Sequence, residues 1–263
     1  MKVVLFCGGQ GLRLRESSDV LPKPMTRIGY RPILWHVMRY YAHYGHQDFV
    51  LCLGYRADVI KDYFLRYDEA VSNDFVLSPG RQVEHLSTDI ADWRITFADT
   101  GARTLIGQRL LRVRHHLEGE DMFLANYGDV VTDAPLDEIV AAFRESGKVA
   151  GLIAARPAYS FHVVRSDGQG EISGIADAHD AGIWINGGYY MFRREIFDYI
   201  RGNEDLVEEP FTRLVAEDQL AAFRHDGFYV SMDTLKDLAT LESLEEQGNP
   251  PWARWREPAP GAS

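Results

Sequence analysis

A glycine-rich segment with two basic residues lies near the start of the chain. Residues 8–14 (GGQGLRL) follow an apolar run, and residues 21–25 (LPKPM) come shortly afterwards. Glycines at a strand end let backbone N–H groups approach a phosphate chain, and the planar guanidinium of Arg13 matches phosphate oxygens. The prolines on both sides of Lys23 favour an extended segment that would hold its ammonium group in place. These residues predict chemistry on a phosphorylated substrate.

Either half of this pattern alone has a simpler interpretation, a glycine turn followed by a solvated basic residue. The segment also differs from two common phosphate-binding motifs. The third glycine of a G-x-G-x-x-G dinucleotide motif is missing, and the G-K-[ST] ending of a P-loop is absent. The combination of both halves nevertheless favours a phosphate site.

The elements that would position these residues alternate between strands and helices. The hydrophobic patterns predict strands at 3–7, 49–53, 95–98, 122–125 and 149–155, and helices at 33–44, around 59–64, near 104–117 and at 135–145. Parallel strands need connections of helical length, so we expect an α/β fold with a doubly wound, mostly parallel, Rossmann-like sheet. A ligand would bind at the carboxyl ends of its strands, where residues 8–11 and 127–129 fall.

After residue 155 the predicted strands are shorter, at 163–165, around 172, at 184–192 and at 228–231. We therefore expect an α/β core at 1–155 and a smaller mixed β lobe at 156–247 that completes the same domain. The hydrophobic pattern of residues 73–92 matches neither the period of a helix nor that of a strand, which suggests a long insertion. The tail at 248–263 contains four prolines and is expected to run over the surface.

The composition narrows the class of partner. Of the 263 residues, 28 are Lys or Arg and 39 are Asp or Glu, a formal net charge of -11 that disfavours nucleic acid. An anionic substrate must then be met by individual cations. We find no signal peptide and no apolar stretch of the roughly 20 residues that a membrane helix needs, and we expect a cytoplasmic protein with no membrane partner. We expect the aromatic residues near Tyr40, Tyr41 and Tyr44 to be exposed, where they would suit contact between copies in a homo-oligomer.

Residues 8–14 together with 22–25 resemble the signature of the sugar-phosphate nucleotidyltransferases. The rest of the chain is similar to the glucose-1-phosphate cytidylyltransferase branch of that family. The supporting stretches are residues 32–36 (PILWH), 53–55 (LGY), 99–101 (DTG), 107–110 (GQRL), 126–129 (NYGD), 184–188 (WINGG), 232–234 (MDT) and 251–252 (PW). The similarity covers almost the whole chain.

The resemblance implies an in-line displacement in which a sugar 1-phosphate attacks the α-phosphorus of a nucleoside triphosphate and releases pyrophosphate. The substrates implied are CTP and glucose 1-phosphate. It implies catalytic roles for Arg13, Lys23 and Asp129, with Mg²⁺ held by Asp129 and Asp233. The simpler alternative for Asp129 is a turn residue, and for Asp233 it is a helix N-cap supported by Thr234. Without the resemblance, the N-cap would be the favoured interpretation of Asp233.

The resemblance also implies which residues line the substrates, with the nucleotide on residues 1–155 and the sugar on residues 156–247. For the nucleotide they are Phe6, Cys7, Gly8, Gly9, Gln10, Gly11, Leu12, Arg13, Lys23, Thr104, Arg109 and Gly128. For the sugar they are Asn186 and Gly187, and glycines within a β-rich run fit close approach of a ligand. The alternative for Arg109 is a solvated helix face.

Three positions depart from the family pattern. Leu12 replaces a small hydroxyl residue that could bond a phosphate. His162 stands where a glycine leaves room for the sugar, and Asp177 stands where a lysine contacts the sugar phosphate. An acid at position 177 would repel that phosphate, unless the loop has shifted by a few residues.

These departures leave the substrate open. If another cation compensates for Asp177, the candidates are Arg156, Arg165 and His162. Otherwise the same reaction would use a different nucleotide and an unusual hexose, heptose or octose 1-phosphate. A third alternative is a non-catalytic protein that binds sugar nucleotides, but binding alone does not require two metal-holding carboxylates.

Overall fold

The computed structural model describes residues 1–9, 21–157, 162–166, 169–178 and 181–256. Within them the strands are β1 (Lys2–Phe6), β2 (Arg27–Ile28), β3 (Arg31–Pro32), β4 (Asp48–Leu53), β5 (Phe75–Ser78), β6 (Gln82–His85), β7 (Arg94–Asp99), β8 (Met122–Tyr127), β9 (Val130–Thr132), β10 (Ala150–Ala155), β11 (His162–Ser166), β12 (Ile172–Asp177), β13 (Ile185–Arg193), β14 (Leu220–His225) and β15 (Tyr229–Ser231). The helices are α1 (Ile33–His43), α2 (Ala57–Leu65), α3 (Ile106–Val113), α4 (Leu136–Ser146), α5 (Ile196–Tyr199), α6 (Glu209–Ala216) and α7 (Leu235–Glu246).

A seven-stranded sheet forms the centre of the molecule, in the order β14-β10-β13-β8-β1-β4-β7. Every strand runs parallel to the others except β13, which is antiparallel to both of its neighbours. The carboxyl ends of six strands therefore meet at one edge, together with the start of β13. The predicted fold class, a doubly wound and mostly parallel sheet, is confirmed.

Both faces of this sheet are covered by helices. One hydrophobic core includes side chains of α1, α2 and α4, and a second core on the opposite face includes side chains of α3, α5 and α6. Strands buried on both faces read as continuous apolar runs, as β1 and β4 do. None of the helices within the described residues is long and apolar enough to span a membrane.

The second half of the chain contributes directly to the central sheet. The strand predicted at 184–192 is β13, which lies between β10 and β8, and β14 pairs with the outer side of β10. Strand β14 was not predicted. Two strands from the range 156–247 therefore share one sheet with the range 1–155. The region 73–92, expected as an insertion, contains an exposed hairpin of β5 and β6.

Two expectations about exposed surface were wrong. Tyr40 and Tyr41 are buried, and the hydroxyl of Tyr40 donates to the carbonyl of Ala134 over 2.7 Å, so these rings pack inside the subunit. The tail does not simply follow the surface either. Trp252 is fully buried, with its ring centroid 5.6 Å from that of Phe228. Both errors arise because burial of aromatic rings here depends on elements far away in the sequence.

A buried imidazole joins the C-terminal segment to α1. The indole Nε1 of Trp252 donates to Nδ1 of His36 over 3.2 Å, so Nε2 carries the proton and donates to the carbonyl of Ile28 over 3.0 Å. Burial lowers the pKa of His36 from 6.5 to about 4. Protonation would break the bond from Trp252, so the neutral ring maintains this contact.

We expect His36 to make folding stability depend on pH. Its pKa is lower in the folded state, so its contribution is complete above pH 6.5 and is lost as the pH falls towards 4. A shift of this size corresponds to about 3 kcal/mol of unfolding free energy. Unfolding by urea at several pH values should show a shallower acid decline in His36→Gln than in the wild type.

The matched control is His85→Gln on the exposed hairpin, which should leave the decline unchanged. Burial also lowers the pKa of His46 to about 4, so His46 too destabilises the folded state as the pH falls. Part of the decline should therefore persist in His36→Gln. An identical decline in His36→Gln and the wild type would contradict the prediction.

Candidate active site

The carboxyl edge of the sheet holds a pocket of about 490 Å³ at the ends of β1 and β8. It is lined by Phe6, Cys7, Gly8, Gly9, Lys23, Pro24, Ile106, Tyr127, Asp129 and Asp233. Most of these residues were predicted from the sequence. Pro24, Ile106 and Tyr127 were not named as site residues, although Tyr127 directly precedes the predicted Gly128 and Asp129.

The glycine loop begins directly after β1. The backbone N–H of Cys7 donates to the carbonyl of Cys52 over 3.0 Å, which extends the pairing of β1 with β4. Gly8 and Gly9 then turn into the pocket. The predicted residues Gln10, Gly11, Leu12 and Arg13 lie outside the residues that the structure describes.

At two glycines other groups pass close to the backbone and leave little space for a Cβ atom. A Cβ atom on Gly8 would overlap the guanidinium of Arg109. A Cβ atom on Gly128 would come within 3.0 Å of Sγ of Cys7. Burial raises the pKa of the Cys7 thiol well above its ordinary value, so this group is a neutral part of the pocket floor.

Arg109 is buried beneath the glycine loop. Its Nη1 donates to the carbonyl of Leu53 over 3.2 Å and to the hydroxyl of Thr100 over 2.7 Å, and its Nη2 donates to the carbonyl of Gly8 over 3.0 Å. Burial lowers the pKa of the guanidinium. The alternative of a solvated helix face is therefore wrong, and Arg109 connects the ends of β1, β4 and β7.

A second cavity adjoins the first at Gly8 and Gly9 and has a volume of about 500 Å³. Its other lining residues are Ala102, Arg103, Thr104, Leu105, Ile106, Arg109 and Asp205. The predicted Thr104 and Arg109 are thus brought to the same loop as the first pocket. Together the two cavities offer room for an elongated ligand across the glycine loop.

Lys23 lies between the two predicted carboxylates. Its Nζ is 2.6 Å from Oδ1 of Asp233 and 3.6 Å from Oδ2 of Asp129. The second oxygen of Asp233 accepts a hydrogen bond of 3.0 Å from the hydroxyl of Ser231. The expectation of an extended segment around Lys23 is wrong, because Lys23 opens a short 3-10 turn and only Pro22 before it has extended backbone angles. The structure brings these three charged groups together from positions more than a hundred residues apart.

Asp233 is not the cap of the following helix. Thr234 caps α7, with its hydroxyl accepting from the N–H of Asp237, while the Asp237 carboxylate accepts from the N–H of Thr234. This reciprocal pair satisfies the helix start. The N-cap interpretation of Asp233 is therefore wrong, and its carboxylate is directed to Lys23 instead.

The surroundings of the Asp129 carboxylate disfavour its charged form. Its pKa is raised, first by burial and also by repulsion from Asp233, and attraction to Lys23 offsets only part of this. The backbone carbonyl of Asp129 accepts from the N–H of Met232, which fixes the loop after β8 against the loop that carries Asp233. A group that favours charge at Asp129 would therefore stabilise this arrangement.

The predicted sugar residues lie at the same edge but one strand away from the pocket. On β13 the amide of Asn186 donates to the hydroxyl of Tyr190 over 2.7 Å and accepts from the N–H of Gly188 over 3.0 Å. A Cβ on Gly187 would be 2.8 Å from the carbonyl of Ile153, so this glycine is needed for strand packing. Asn186 remains exposed and accessible to a ligand.

The two departures in the second half of the chain face each other. His162 on β11 pairs with Asp177 on β12 across an antiparallel hairpin, and His162 is exposed. Residues directly opposite in such a pair lie on the same side of the hairpin. The two positions singled out in the sequence therefore lie at a single place.

A doubly wound sheet with a glycine loop, a lysine and two carboxylates at its carboxyl edge defines an enzyme that binds a nucleotide and acts on its phosphates. A family model described as nucleotidyl transferase matches residues 2–249. The chain belongs to this family. The resemblance to sugar-phosphate nucleotidyltransferases is confirmed, and the chain is a nucleotidyltransferase that forms nucleoside-diphosphate sugars from sugar 1-phosphates.

Curated relatives match over nearly the full length. The glucose-1-phosphate cytidylyltransferase of Salmonella typhi is 36% identical over 258 residues, which cover 97% of this chain and 100% of the relative. The probable glucose-1-phosphate cytidylyltransferase of Bacillus subtilis is 34% identical with the same coverage. Members of the family generally use a divalent metal ion.

Solved structures support the fold. HddC from Yersinia pseudotuberculosis, in complex with GMP-PN, superimposes with a TM-score of 0.67 at 18% identity and covers 92% of this chain and 98% of its own. UDP-glucose pyrophosphorylase in complex with UDP-glucose gives a TM-score of 0.66 at 15% identity, covering 94% and 99%. These similarities establish a shared architecture.

Replacing Arg109 should disturb the glycine loop. Arg109→Met would leave the carbonyl of Gly8 without the donor it has in Arg109, at a cost of about 2 kcal/mol in unfolding free energy. The carbonyl of Leu53 would keep two donors, the N–H and the hydroxyl of Thr100. The Michaelis constant for the nucleotide should also rise. Arg112→Met is the control, because Arg112 bonds the Thr100 carbonyl but not Gly8. If Arg109→Met keeps both wild-type stability and nucleotide affinity, this role is refuted.

Replacing Asp129 should separate activity from stability. Because the charged carboxylate is disfavoured by its surroundings, Asp129→Asn should unfold at the same or a higher temperature at neutral pH without added metal. Turnover should nevertheless fall by about a hundredfold or more, as expected for loss of a transition-state contact. Thermal unfolding and pyrophosphate release measure the two effects. Wild-type turnover in Asp129→Asn would contradict an active-site role.

Proposed function

We propose that this enzyme transfers the cytidylyl group of CTP to glucose 1-phosphate, giving CDP-glucose and pyrophosphate. The observation that carries the proposal is the cluster of Lys23, Asp129 and Asp233 beside the glycine loop, in one pocket. The choice of base and sugar rests on relatives of 34–36% identity that bear these substrates in their names.

The reaction needs positioning and charge neutralisation more than proton transfer. An oxygen of the sugar phosphate forms a bond to the α-phosphorus of CTP, and the bond from that phosphorus to the bridging oxygen of the β-phosphate breaks. The attacking oxygen is already anionic, so no general base is required. Pyrophosphate leaves with the electron pair. Preorganised cations and backbone N–H groups are the means by which a protein accelerates such a displacement.

Each part of the pocket has a task in this scheme. Gly8 and Gly9 allow the backbone to approach the triphosphate, and Arg109 holds that loop while adding positive charge behind it. Lys23 lines the pocket beside both carboxylates, where it neutralises developing charge on the α-phosphate. We assign Arg13 to the leaving pyrophosphate because a planar guanidinium matches phosphate oxygens.

The donor set fits Mg²⁺. Asp129 and Asp233 converge on one cationic group, and oxygen ligands of this kind are those that Mg²⁺ takes in phosphoryl-transfer sites. Among the described residues there is no group of three acidic, cysteine or histidine side chains suited to hold a metal. Mg²⁺ usually keeps waters and substrate phosphates as further ligands, so two carboxylates suffice. When bound, it would supply electrostatic stabilisation of the phosphates.

A second candidate keeps the reaction and changes the acceptor. It is favoured by the His162 and Asp177 pair, because an exposed imidazole opposite a carboxylate on β11 and β12 alters the hairpin that the family resemblance assigns to the sugar. The acceptor would then be an unusual hexose, heptose or octose 1-phosphate.

A matrix of substrates tests both candidates. The protein with Mg²⁺ is incubated with each of CTP, UTP, GTP, ATP and dTTP against glucose, mannose, galactose and heptose 1-phosphates, and pyrophosphate is measured. We expect the highest kcat/KM for CTP with glucose 1-phosphate. Preference for another sugar would support the second candidate, and release in no combination would refute catalysis on these substrates. Lys23→Met provides the inactive control for contaminating activity.

A further inference from the structure

Two arginines and a tryptophan form a cluster beside the expected acceptor region. Cζ of Arg156 lies 4.2 Å from the ring centre of Trp184, and Cζ of Arg224 lies 5.1 Å from the same ring. Both distances are within the range of favourable cation–π contacts. The indole therefore holds two guanidinium groups close together.

The strand pairing places this cluster next to Asn186. Ala154 on β10 pairs with Asn186 on one side and with Arg224 on the other, and Arg156 follows two residues after Ala154. Neighbouring strands are about 4.8 Å apart, and residues two apart on a strand share a face. Because β13 also pairs with β8, the cluster lies at the same edge of the sheet as Asp129.

The charge of the cluster is only partly neutralised. Nε of Arg156 donates to Oδ1 of Asp226 over 2.8 Å, while Nη1 of Arg156 is buried and has no hydrogen-bond partner within the described part of the chain. The described residues give Arg224 no ion pair. A buried N–H donor without an acceptor is unfavourable, so an anionic oxygen placed there would gain a strong bond.

The other cations proposed from the sequence are less suited to bind the acceptor. Arg165 is exposed on the β11–β12 hairpin and donates to the carbonyl of Ala181 over 3.2 Å. His162 is exposed on the same hairpin and pairs with Asp177. Arg156 has a side chain that is only 22% exposed and is held by both a carboxylate and an aromatic ring. An orientation fixed in this way reduces the entropy lost on binding.

We propose that Arg156, supported by Trp184 and Arg224, binds the phosphate of the acceptor sugar. The acceptor phosphate must approach an anionic triphosphate in a protein of net charge -11, so it requires a dedicated cation. The buried Nη1 of Arg156 donates to a phosphate oxygen, and Arg224 adds charge on the outer side. This inference rests on the proposed function, and it retains a sugar 1-phosphate as the acceptor despite the acid at position 177.

Steady-state kinetics with the full chain tests the assignment. Arg156→Met should raise the KM for glucose 1-phosphate about tenfold or more, as expected for loss of a charge-assisted bond, with the KM for CTP nearly unchanged. Arg156→Lys keeps the charge but loses the planar fork, so its KM should be intermediate. Arg224→Met should also raise the KM for glucose 1-phosphate, but by a smaller factor. The control Arg165→Met should behave like the wild type.

Equal KM values for glucose 1-phosphate in Arg156→Met and the wild type would overturn the proposal, and so would a rise in the KM for CTP of the same size. If Arg156→Met folds poorly, Arg156→Lys gives the same test, because a purely structural role would change both KM values together.

Calorimetry with inorganic phosphate separates this inference from the proposed function. If the wild type turns over no substrate pair, the proposed function fails, but phosphate binding can still be compared between variants. We expect Arg156→Met to bind inorganic phosphate more weakly than the wild type and Arg165→Met to bind it equally well. Unchanged binding in Arg156→Met would overturn the inference whatever the outcome of the kinetics.

Discussion

The active-site edge depends on one buried guanidinium. Arg109 bonds the carbonyls of Gly8 and Leu53 and the hydroxyl of Thr100, so it ties the ends of three adjacent strands with neutral acceptors alone. The guanidinium occupies the space that a Cβ atom at position 8 would need. A buried charge with only neutral partners is costly, and the same charge favours an anion in the loop above it. Removing the side chain would leave the carbonyl of Gly8 without its donor, so the guanidinium supports the loop despite this cost.

The sequence predicted the parts of the site that depend on local pattern. An apolar run followed by glycines locates the end of β1, and Gly128 with Asp129 locates the end of β8, because strand and turn signals lie within a few residues of each other. Parallel strands must then bring both loops to one edge. The confirmed fold class and the shared pocket follow from these two facts.

Other features depend on partners that no local pattern reveals. Strand β14 is as long as β10 beside it, but it is only partly buried and ends in Arg224 and His225, so its apolar run is shorter than the one that identified β10. Thr234 and Asp233 are both good N-cap residues, and only the reciprocal bonds with Asp237 show which of them caps α7. From the sequence pattern, Arg109 could lie on a solvent-exposed face of its helix. In the structure it is buried because its guanidinium bonds groups at the ends of β1, β4 and β7.

The order of the strands explains why the cations are arranged in a row. Arg109 lies behind the ends of β7, β4 and β1, Lys23 meets the carboxylates beside β8, and Arg156 follows β10. In the proposed reaction the nucleotide, its phosphates and the acceptor would be held in that order. In a chain of net charge -11 a diffuse positive field is not available, so each cation is fixed by its own partners. Strand β13 separates β8 from β10, so Asn186 on β13 lies between the strands that precede the last two of these cations.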